Sequence, residues 1–166
     1  MSSGPSALAT TTEIAHVHGV EVDRNGLDVL DEVECLELLA SHAFGRVAIT
    51  SGALPAILPV NYHMVGHHIL FRTGQGTKLD AATRNAVVAF EVDHIDPVEH
   101  TGWSVLAVGI ARDLTDVLEQ MTFDLSLIPR WAPGSDGRVV VVVPELLSGR
   151  RIVHAHEGVV GQLAPG

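Results

Sequence analysis

Short apolar runs rich in β-branched residues, separated by glycine and proline, recur along most of this chain. Six such runs are each long enough for one strand: residues 45–50, 56–62, 68–73, 86–93, 103–113 and 138–143. The fifth run is long enough to bend at Gly109, and residues 145–153 are predicted to continue the sixth run past Pro144. Runs of this length, bounded by turn-forming residues, are typical of β-strands. The three short helical patterns do not alternate regularly with them, which argues against a doubly wound parallel sheet. The sequence therefore predicts a mainly β fold, a closed or nearly closed antiparallel barrel of about six strands with short flanking helices.

The chain has 166 residues and a formal charge of −10, from 20 acidic and 10 basic side chains. A surface of that sign repels phosphate backbones and anionic lipid, so we expect neither a nucleic acid nor a membrane partner. No stretch approaches the roughly 18–20 unbroken apolar residues of a membrane span. The N-terminus also lacks the basic and apolar regions of a secretory signal. We expect a cytoplasmic protein.

The organisation along the chain indicates one domain with two flanking segments. Residues 1–26 are small and polar without sustained periodicity, which predicts a flexible N-terminal arm. Residues 27–153 form the domain, and residues 154–166 form a C-terminal tail. A helix is predicted over residues 31–42, where Asp31 and Glu34 make a capping-box pattern. Its buried face is predicted from helical spacing to be Leu36, Leu39, Ala40 and Ala43.

Metal chemistry has little support in the sequence. The single cysteine, Cys35, excludes an intramolecular disulfide and any multi-cysteine metal site. The ten histidines include no H-E-x-x-H or similar ligand spacing. We therefore predict no metal site.

The loop after the third run concentrates groups that can bind an anion. Arg72 can hold a phosphate through two hydrogen bonds, Lys78 adds a point charge, and Thr73 and Thr77 offer hydroxyls. Thr77 can cap a short helix over residues 78–84, whose first amides and dipole also favour an anion. The glycine spacing fits neither a P-loop nor a dinucleotide fingerprint. The alternative is that both cations are solvated charges at the end of a hairpin.

A second candidate region lies within the second run. Pro59 cannot donate to a strand ladder, so it indicates an edge, a bulge or a place where the backbone meets a ligand. Asn61 and Tyr62 follow at the end of the apolar strand, as ligand-orienting residues often do. A turn-capping asparagine and a half-buried tyrosine are the alternative.

Together these segments resemble the pyridoxamine 5′-phosphate oxidase-like family of flavin-binding split-barrel proteins, in the branch that includes the nitroimidazole-resistance reductases. The likeness covers about residues 28–152, in order and with similar gaps. It rests on Gly45-Arg46-Val47-Ala48, Pro59-Val60-Asn61-Tyr62, Phe71-Arg72-Thr73 with Gly76-x-Lys78-Leu79, Val88-Ala89-Phe90-Glu91-Val92-Asp93 and Gly102-Trp103-Ser104-Val105.

The resemblance implies a six-stranded split barrel that dimerises, with FMN in two grooves between the subunits. It also implies a cofactor-binding set with three parts. Phe71, Arg72, Thr73, Lys78 and Leu79 would surround the phosphate end, Pro59, Val60, Asn61 and Tyr62 would line the isoalloxazine edge, and Trp103, Ser104 and Val105 would approach from the partner subunit. The basic residues with which the true oxidase holds pyridoxal are not recognisable, and Arg150-Arg151 are the nearby candidates.

The function that the resemblance implies is an FMN-dependent oxidoreductase. It would pass electrons from a nicotinamide cofactor to a small organic acceptor or to oxygen. Tyr62 and His63 are the candidate catalytic residues. One alternative is a reductase that uses the deazaflavin F420, whose longer anionic tail would need more cationic groups. The other is a non-catalytic flavin-binding or sensing module.

Overall fold

The computed structural model describes residues 15–17, 20–74, 76, 77, 79, 80, 83–114, 124–128 and 138–153. The elements within these ranges, in chain order, are β1 (Ala15–Val17), β2 (Val20–Val22), β3 (Asp28–Leu30), α1 (Glu32–Ala40), β4 (Phe44–Ser51), β5 (Leu54–Val65), β6 (His68–Arg72), β7 (Ala86–Asp96), β8 (Thr101–Asp113), a 3-10 turn (Leu125–Leu127) and β9 (Val139–Ile152). Among the described residues, no helix has the length and apolar character needed to cross a membrane.

Six antiparallel strands close into a barrel, as predicted. Their order is β9-β6-β5-β4-β7-β8, and β8 pairs again with β9 to complete the ring. Buried side chains alternate along the strands and fill the interior. Tyr62 and Phe90 pack edge-to-face there, with ring centroids 4.8 Å apart, beside Val47, Phe71 and Val105. The barrel interior is thus a closed apolar core, and a polar ligand site has to lie at its ends or outside it.

Strand β5 changes its neighbour half-way along, and this splits the barrel wall. Residues 54–61 pair with β4, whereas residues 62–65 pair with β6. Tyr62↔Phe71 is the last pair that joins β5 to β6, so Asn61 and Arg72 are the first residues beyond it. Pro59 lies in the half that has only β4 beside it, where its missing N–H costs no ladder bond. We call this place, flanked by Asn61 and Arg72, the β5–β6 fork.

Part of the predicted N-terminal arm, residues 1–26, forms strands in the structure. Strands β1 and β2 lie in that segment, and β3 pairs with β9 through Asp28↔Arg151 and so joins them to the barrel. Asp23 organises the turn, because its Oδ1 accepts from the N–H groups of Asn25 and Leu27 at 2.9 and 3.1 Å. Turn chemistry and a free strand edge order these residues without hydrophobic periodicity. Residues 1–14 and the predicted tail, residues 154–166, lie outside the described residues.

Helix α1 starts with the predicted capping box but buries a different face. Asp31 Oδ1 accepts from the Glu34 N–H at 2.8 Å, and Glu34 Oε2 accepts from the Asp31 N–H at 3.2 Å. The buried residues are Cys35 and Leu39, whereas Ala40 and Ala43 are exposed. The reason is the partner strand. Gly149 of β9 has no side chain, and Cys35 Sγ occupies that space, only 2.6 Å from where a Cβ would stand.

The long pair β8–β9 bends at the position that the sequence indicates. The register shifts between Val108 and Gly109, so that Gly109 faces Pro144 while Val108 faces Leu146. Glu145 is the extra residue of this bulge, and β9 continues past Pro144 to Ile152. The predicted bend at Gly109 and the continuation of the last strand are both confirmed.

Candidate functional site

The β5–β6 fork presents a cation and an unused acceptor side by side. Because side chains alternate across a strand, Asn61 and Arg72 lie on the outer face, opposite Tyr62 and Phe71, which are in the core. Asn61 Oδ1 is buried and accepts no hydrogen bond from any described residue. A buried acceptor without a donor is uncommon in folded proteins and calls for an explanation such as a ligand or water.

The loop that follows Arg72 has a defined shape. Thr77 Oγ1 donates to the Gly74 carbonyl at 2.8 Å and accepts from the Asp80 N–H at 3.1 Å. The second bond is the N-cap interaction that the sequence predicts for Thr77. Lys78, the predicted phosphate-binding lysine, lies outside the described residues. Leu79 is half-buried and packs against the core.

A buried ion-pair cluster underlies the same loop. The Asp80 carboxylate accepts from Arg138 Nε at 2.9 Å and from Arg84 Nη2 at 3.0 Å, and its side chain is only 7% exposed. Hydrogen bonds to the carboxylate lower the pKa of Asp80 to about 2, and the bond from Arg138 has a larger effect than the bond from Arg84. The carboxylate is therefore ionised at any ordinary pH. This cluster was not predicted from the sequence. The only local signal is an acidic residue three positions after the capping threonine.

Five residues of the predicted cofactor set face inward, and one of them, Tyr62, is described below. Val60, Phe71 and Val105 belong to the apolar core. The buried Thr73 hydroxyl lies 3.4 Å from Asp80 Oδ1 and 3.3 Å from the Arg138 carbonyl, so its one proton has two acceptors close by. The fork therefore receives only Pro59, Asn61 and Arg72 from the described part of that set.

Tyr62, predicted to be catalytic, is a core residue. Its hydroxyl donates to the Leu39 carbonyl at 2.5 Å, and burial raises the pKa of that hydroxyl. An enclosed phenol whose proton is already donated cannot readily serve a ligand, and we assign it no acid–base role. His63 is half-buried on the same outer face as Asn61.

Trp103 and Ser104 lie on another part of the barrel. Trp103 is half-buried and contacts the His42 ring edge-on, with centroids 4.9 Å apart. Ser104 lies on the outer face, paired in register with Asp93 and Arg150. Strands β4 and β7 separate β8 from β5, so Ser104 lies roughly 14 Å from Asn61 across the sheet. Within one chain, this pair and the fork do not meet.

The two arginines near the C-terminus are ion-paired. Arg150 Nε lies 3.1 Å from Asp23 Oδ2, and Arg151 Nη1 lies 3.1 Å from Glu34 Oε1. These pairs attach the β2–β3 turn and helix α1 to the end of β9. A structural role therefore accounts for both, and the structure adds no support for pyridoxal binding.

Two other features bear on ligand binding. No three His, Cys, Asp or Glu side chains in the described part of the chain are arranged to hold a metal ion. A cavity of about 180 Å³ lies between α1 and the bend in β9. It is lined by Glu32, Leu36, His67, Pro144, Glu145 and Leu147.

Comparison with known proteins gives matches over most of the chain. A family model described as pyridoxamine 5′-phosphate oxidase matches residues 31–151. Uncharacterized protein Rv0080 of Mycobacterium tuberculosis is 40% identical over 129 residues, which cover 75% of this chain and 84% of that protein.

Solved structures give the same answer for the fold. The FAD binding protein from Mycobacterium smegmatis is 34% identical with a TM-score of 0.59, over 76% of this chain and 99% of that one. A Bacteroides thetaiotaomicron protein named for 5-nitroimidazole antibiotic resistance is 15% identical with a TM-score of 0.55, over 74% of this chain and 86% of that one. At that identity the second match concerns the fold alone.

Proposed function

This chain belongs to the pyridoxamine 5′-phosphate oxidase family, and on that premise we propose that it is a flavin-dependent oxidoreductase with its cofactor at the β5–β6 fork. The observation that carries the proposal is the juxtaposition of Arg72 with the unsatisfied Oδ1 of Asn61. A flavin phosphate is an acceptor that suits a guanidinium. The flavin ring carries an N–H that suits a buried carbonyl oxygen.

FMN is the cofactor that we propose, with FAD and F420 as the alternatives that an experiment has to separate. The Mycobacterium smegmatis relative is named for FAD, which gives FAD specific support. Within the described residues, three basic side chains lie next to the loop: Arg72, the 61%-exposed Arg84 and the enclosed Arg138. Three are few for the longer anionic tail of F420. The mass of the cofactor released on denaturation identifies it directly.

When bound, FMN would supply hydride and electron transfer between a nicotinamide donor and a small organic acceptor or oxygen. The protein's part is to bind and orient. Arg72 holds the phosphate, Asn61 fixes the ring edge by accepting a hydrogen bond, and Pro59 offers a strand edge without a competing N–H. His63 remains the candidate proton donor on the outer face.

Absorbance and reduction of the purified protein test the proposal. We expect flavin bands in the protein as purified or after reconstitution, and bleaching of those bands by NADH or NADPH without oxygen. Bands that do not bleach would indicate the second candidate, a flavin-binding module without catalysis. Two observations favour that candidate. The Mycobacterium smegmatis relative is named only for FAD binding, and the Tyr62 hydroxyl already donates its proton to the Leu39 carbonyl. Absence of flavin binding would contradict both.

We also propose that two copies assemble with the cofactor between them. A row of apolar side chains crosses five strands on the outer face. Its two ends are largely exposed, Ile57 at 68% and Leu146 at 53%, and so is Val87 beside it on β7, at 68%. Register links the row through Ile57↔Ala48, Ala48↔Ala89, Ala89↔Val108 and Val108↔Leu146. A contiguous apolar face of this kind is typical of an interaction surface. A second copy would bring its Trp103–Ser104 segment to the fork.

The assembly is expected to be a stable homodimer. Light scattering at micromolar concentration should give twice the chain mass of 17.6 kDa. The Ile57→Glu variant should dissociate, since it places a charge within the apolar row, while Glu21→Gln, in the N-terminal strands, should not. A wild-type particle of 17.6 kDa would contradict the dimer.

A further inference from the structure

We propose that Arg138 is a positioning residue for the loop that follows Arg72, from Thr73 to Asp80, which we call the anion-binding loop. Arg138 acts on this loop through Asp80. The inference rests on the proposed function, because the loop begins directly after Arg72, to which the flavin phosphate is assigned. It adds a residue 66 positions beyond Arg72 to that site. No flavin contact is assigned to Arg138 itself.

The Asp80 carboxylate bridges the loop from inside. One oxygen, Oδ1, lies 3.4 Å from the Thr73 hydroxyl at the start of the loop, and the other, Oδ2, accepts from the Gly76 N–H at 3.4 Å. The Thr77 hydroxyl adds a second link, because it donates to the Gly74 carbonyl and accepts from the Asp80 N–H. These contacts therefore tie together the described residues at the start, middle and end of the loop, Thr73, Gly76 and Asp80.

Arg138 holds both ends of this arrangement at once. Its backbone carbonyl accepts from the Thr73 N–H at 3.0 Å. Its side chain donates to Asp80 Oδ1 at 2.9 Å, to the Asp80 carbonyl at 2.7 Å and to Thr83 Oγ1 at 2.8 Å. Only a planar guanidinium has donors spaced for three acceptors on one turn, so a lysine cannot replace it.

Charge gives Arg138 a second effect on the same loop. A buried carboxylate beside an anion site repels the ligand unless a cation neutralises it. Arg138, with a side chain only 11% exposed, is the more enclosed of the two arginines that pair with Asp80, since Arg84 is 61% exposed. Arg138 Nε also lies 3.3 Å from Asp113 Oδ2. Losing Arg138 would therefore remove the cation that two neighbouring carboxylates share, and would leave Asp80, among the described residues, with the solvated Arg84.

Two variants test the inference, Arg138→Met and Arg138→Lys. We expect each to weaken FMN binding by about tenfold or more and riboflavin binding by less than about threefold. In ligand-free protein, we also expect faster hydrogen exchange at the Gly76, Thr77 and Asp80 amides. Arg24→Met is the control, because Arg24 is an exposed arginine in the turn between β2 and β3, away from the loop and the fork. It should change neither quantity.

The outcomes separate this inference from the proposed function. Equal losses of FMN and riboflavin affinity would show that Arg138 acts through the fold, which overturns the inference. An Arg138→Lys variant with the FMN affinity and the amide exchange rates of the wild type would also overturn the inference. If Arg138→Met does not fold, Arg138→Lys alone provides the test. Wild-type protein that binds neither flavin would overturn the proposed function, while the exchange rates would still decide whether Arg138 fixes the loop.

Discussion

Replacing Arg72 with methionine is expected to weaken FMN binding by about a hundredfold while changing riboflavin binding by less than about threefold. A bidentate contact between a guanidinium and a phosphate contributes about 2–3 kcal/mol, and about 1.4 kcal/mol corresponds to a tenfold change in affinity. Methionine keeps the length and apolar stem of the side chain, so packing at the fork changes little. Riboflavin has no phosphate and should be nearly indifferent.

The measurement is a fluorescence titration of both flavins against wild type and variant. Arg24→Met is the control, because Arg24 is an exposed arginine in the turn between β2 and β3. On sequence grounds alone, Lys78→Ala is expected to show the same selectivity as Arg72→Met. An equal loss of FMN and riboflavin affinity in Arg72→Met would mean that Arg72 does not bind the phosphate.

Replacing Gly109 with alanine is expected to be the most destabilising single-methyl change in the barrel. A Cβ at this position would stand 2.0 Å from the Val143 carbonyl oxygen and 3.0 Å from Pro144 Cα. Both obstacles are backbone atoms within a strand pair, so they cannot rotate away as a side chain would. Strands β8 and β9 would have to separate, and the variant should lose about 3 kcal/mol or more in the free energy of unfolding. The melting temperature should fall by about 10 °C.

Thermal and denaturant unfolding followed by circular dichroism measure this loss. Gly66→Asn is the control, because Gly66 has φ +57 and nothing within 4 Å of a Cβ. Asparagine tolerates that left-handed conformation, so the control should cost less than about 1 kcal/mol. If Gly109→Ala lost no more free energy of unfolding than Gly66→Asn, Gly109 could not lie as close to the Val143 carbonyl as described.

Local chemistry made most of the fold predictable from the sequence. The capping box at Asp31 and Glu34, the N-cap at Thr77 and the bend at Gly109 depend on residues close in sequence, and each is confirmed. The mainly β barrel followed from apolar runs and breakers. Such features need only the residue's own neighbours to be recognised.

Long-range contacts explain what the sequence could not show. Asp80 and Arg138 are 58 positions apart, and no spacing rule connects them. Tyr62 stands one position from Asn61, and a strand sends neighbours to opposite faces, so a ligand-facing tyrosine and a core tyrosine look alike in sequence. The face that α1 buries was likewise decided by Gly149, more than a hundred residues away.

The most direct test of the central claim is the pattern of backbone amide chemical shifts when FMN is added to the isotopically labelled protein. We predict that the largest changes fall at Asn61, Arg72, Gly74 and Gly76, on either side of the β5–β6 fork. The cavity between α1 and β9 offers the contrasting result. Changes centred on Leu36, His67 and Leu147, with the fork unaffected, would place the ligand there and contradict the account.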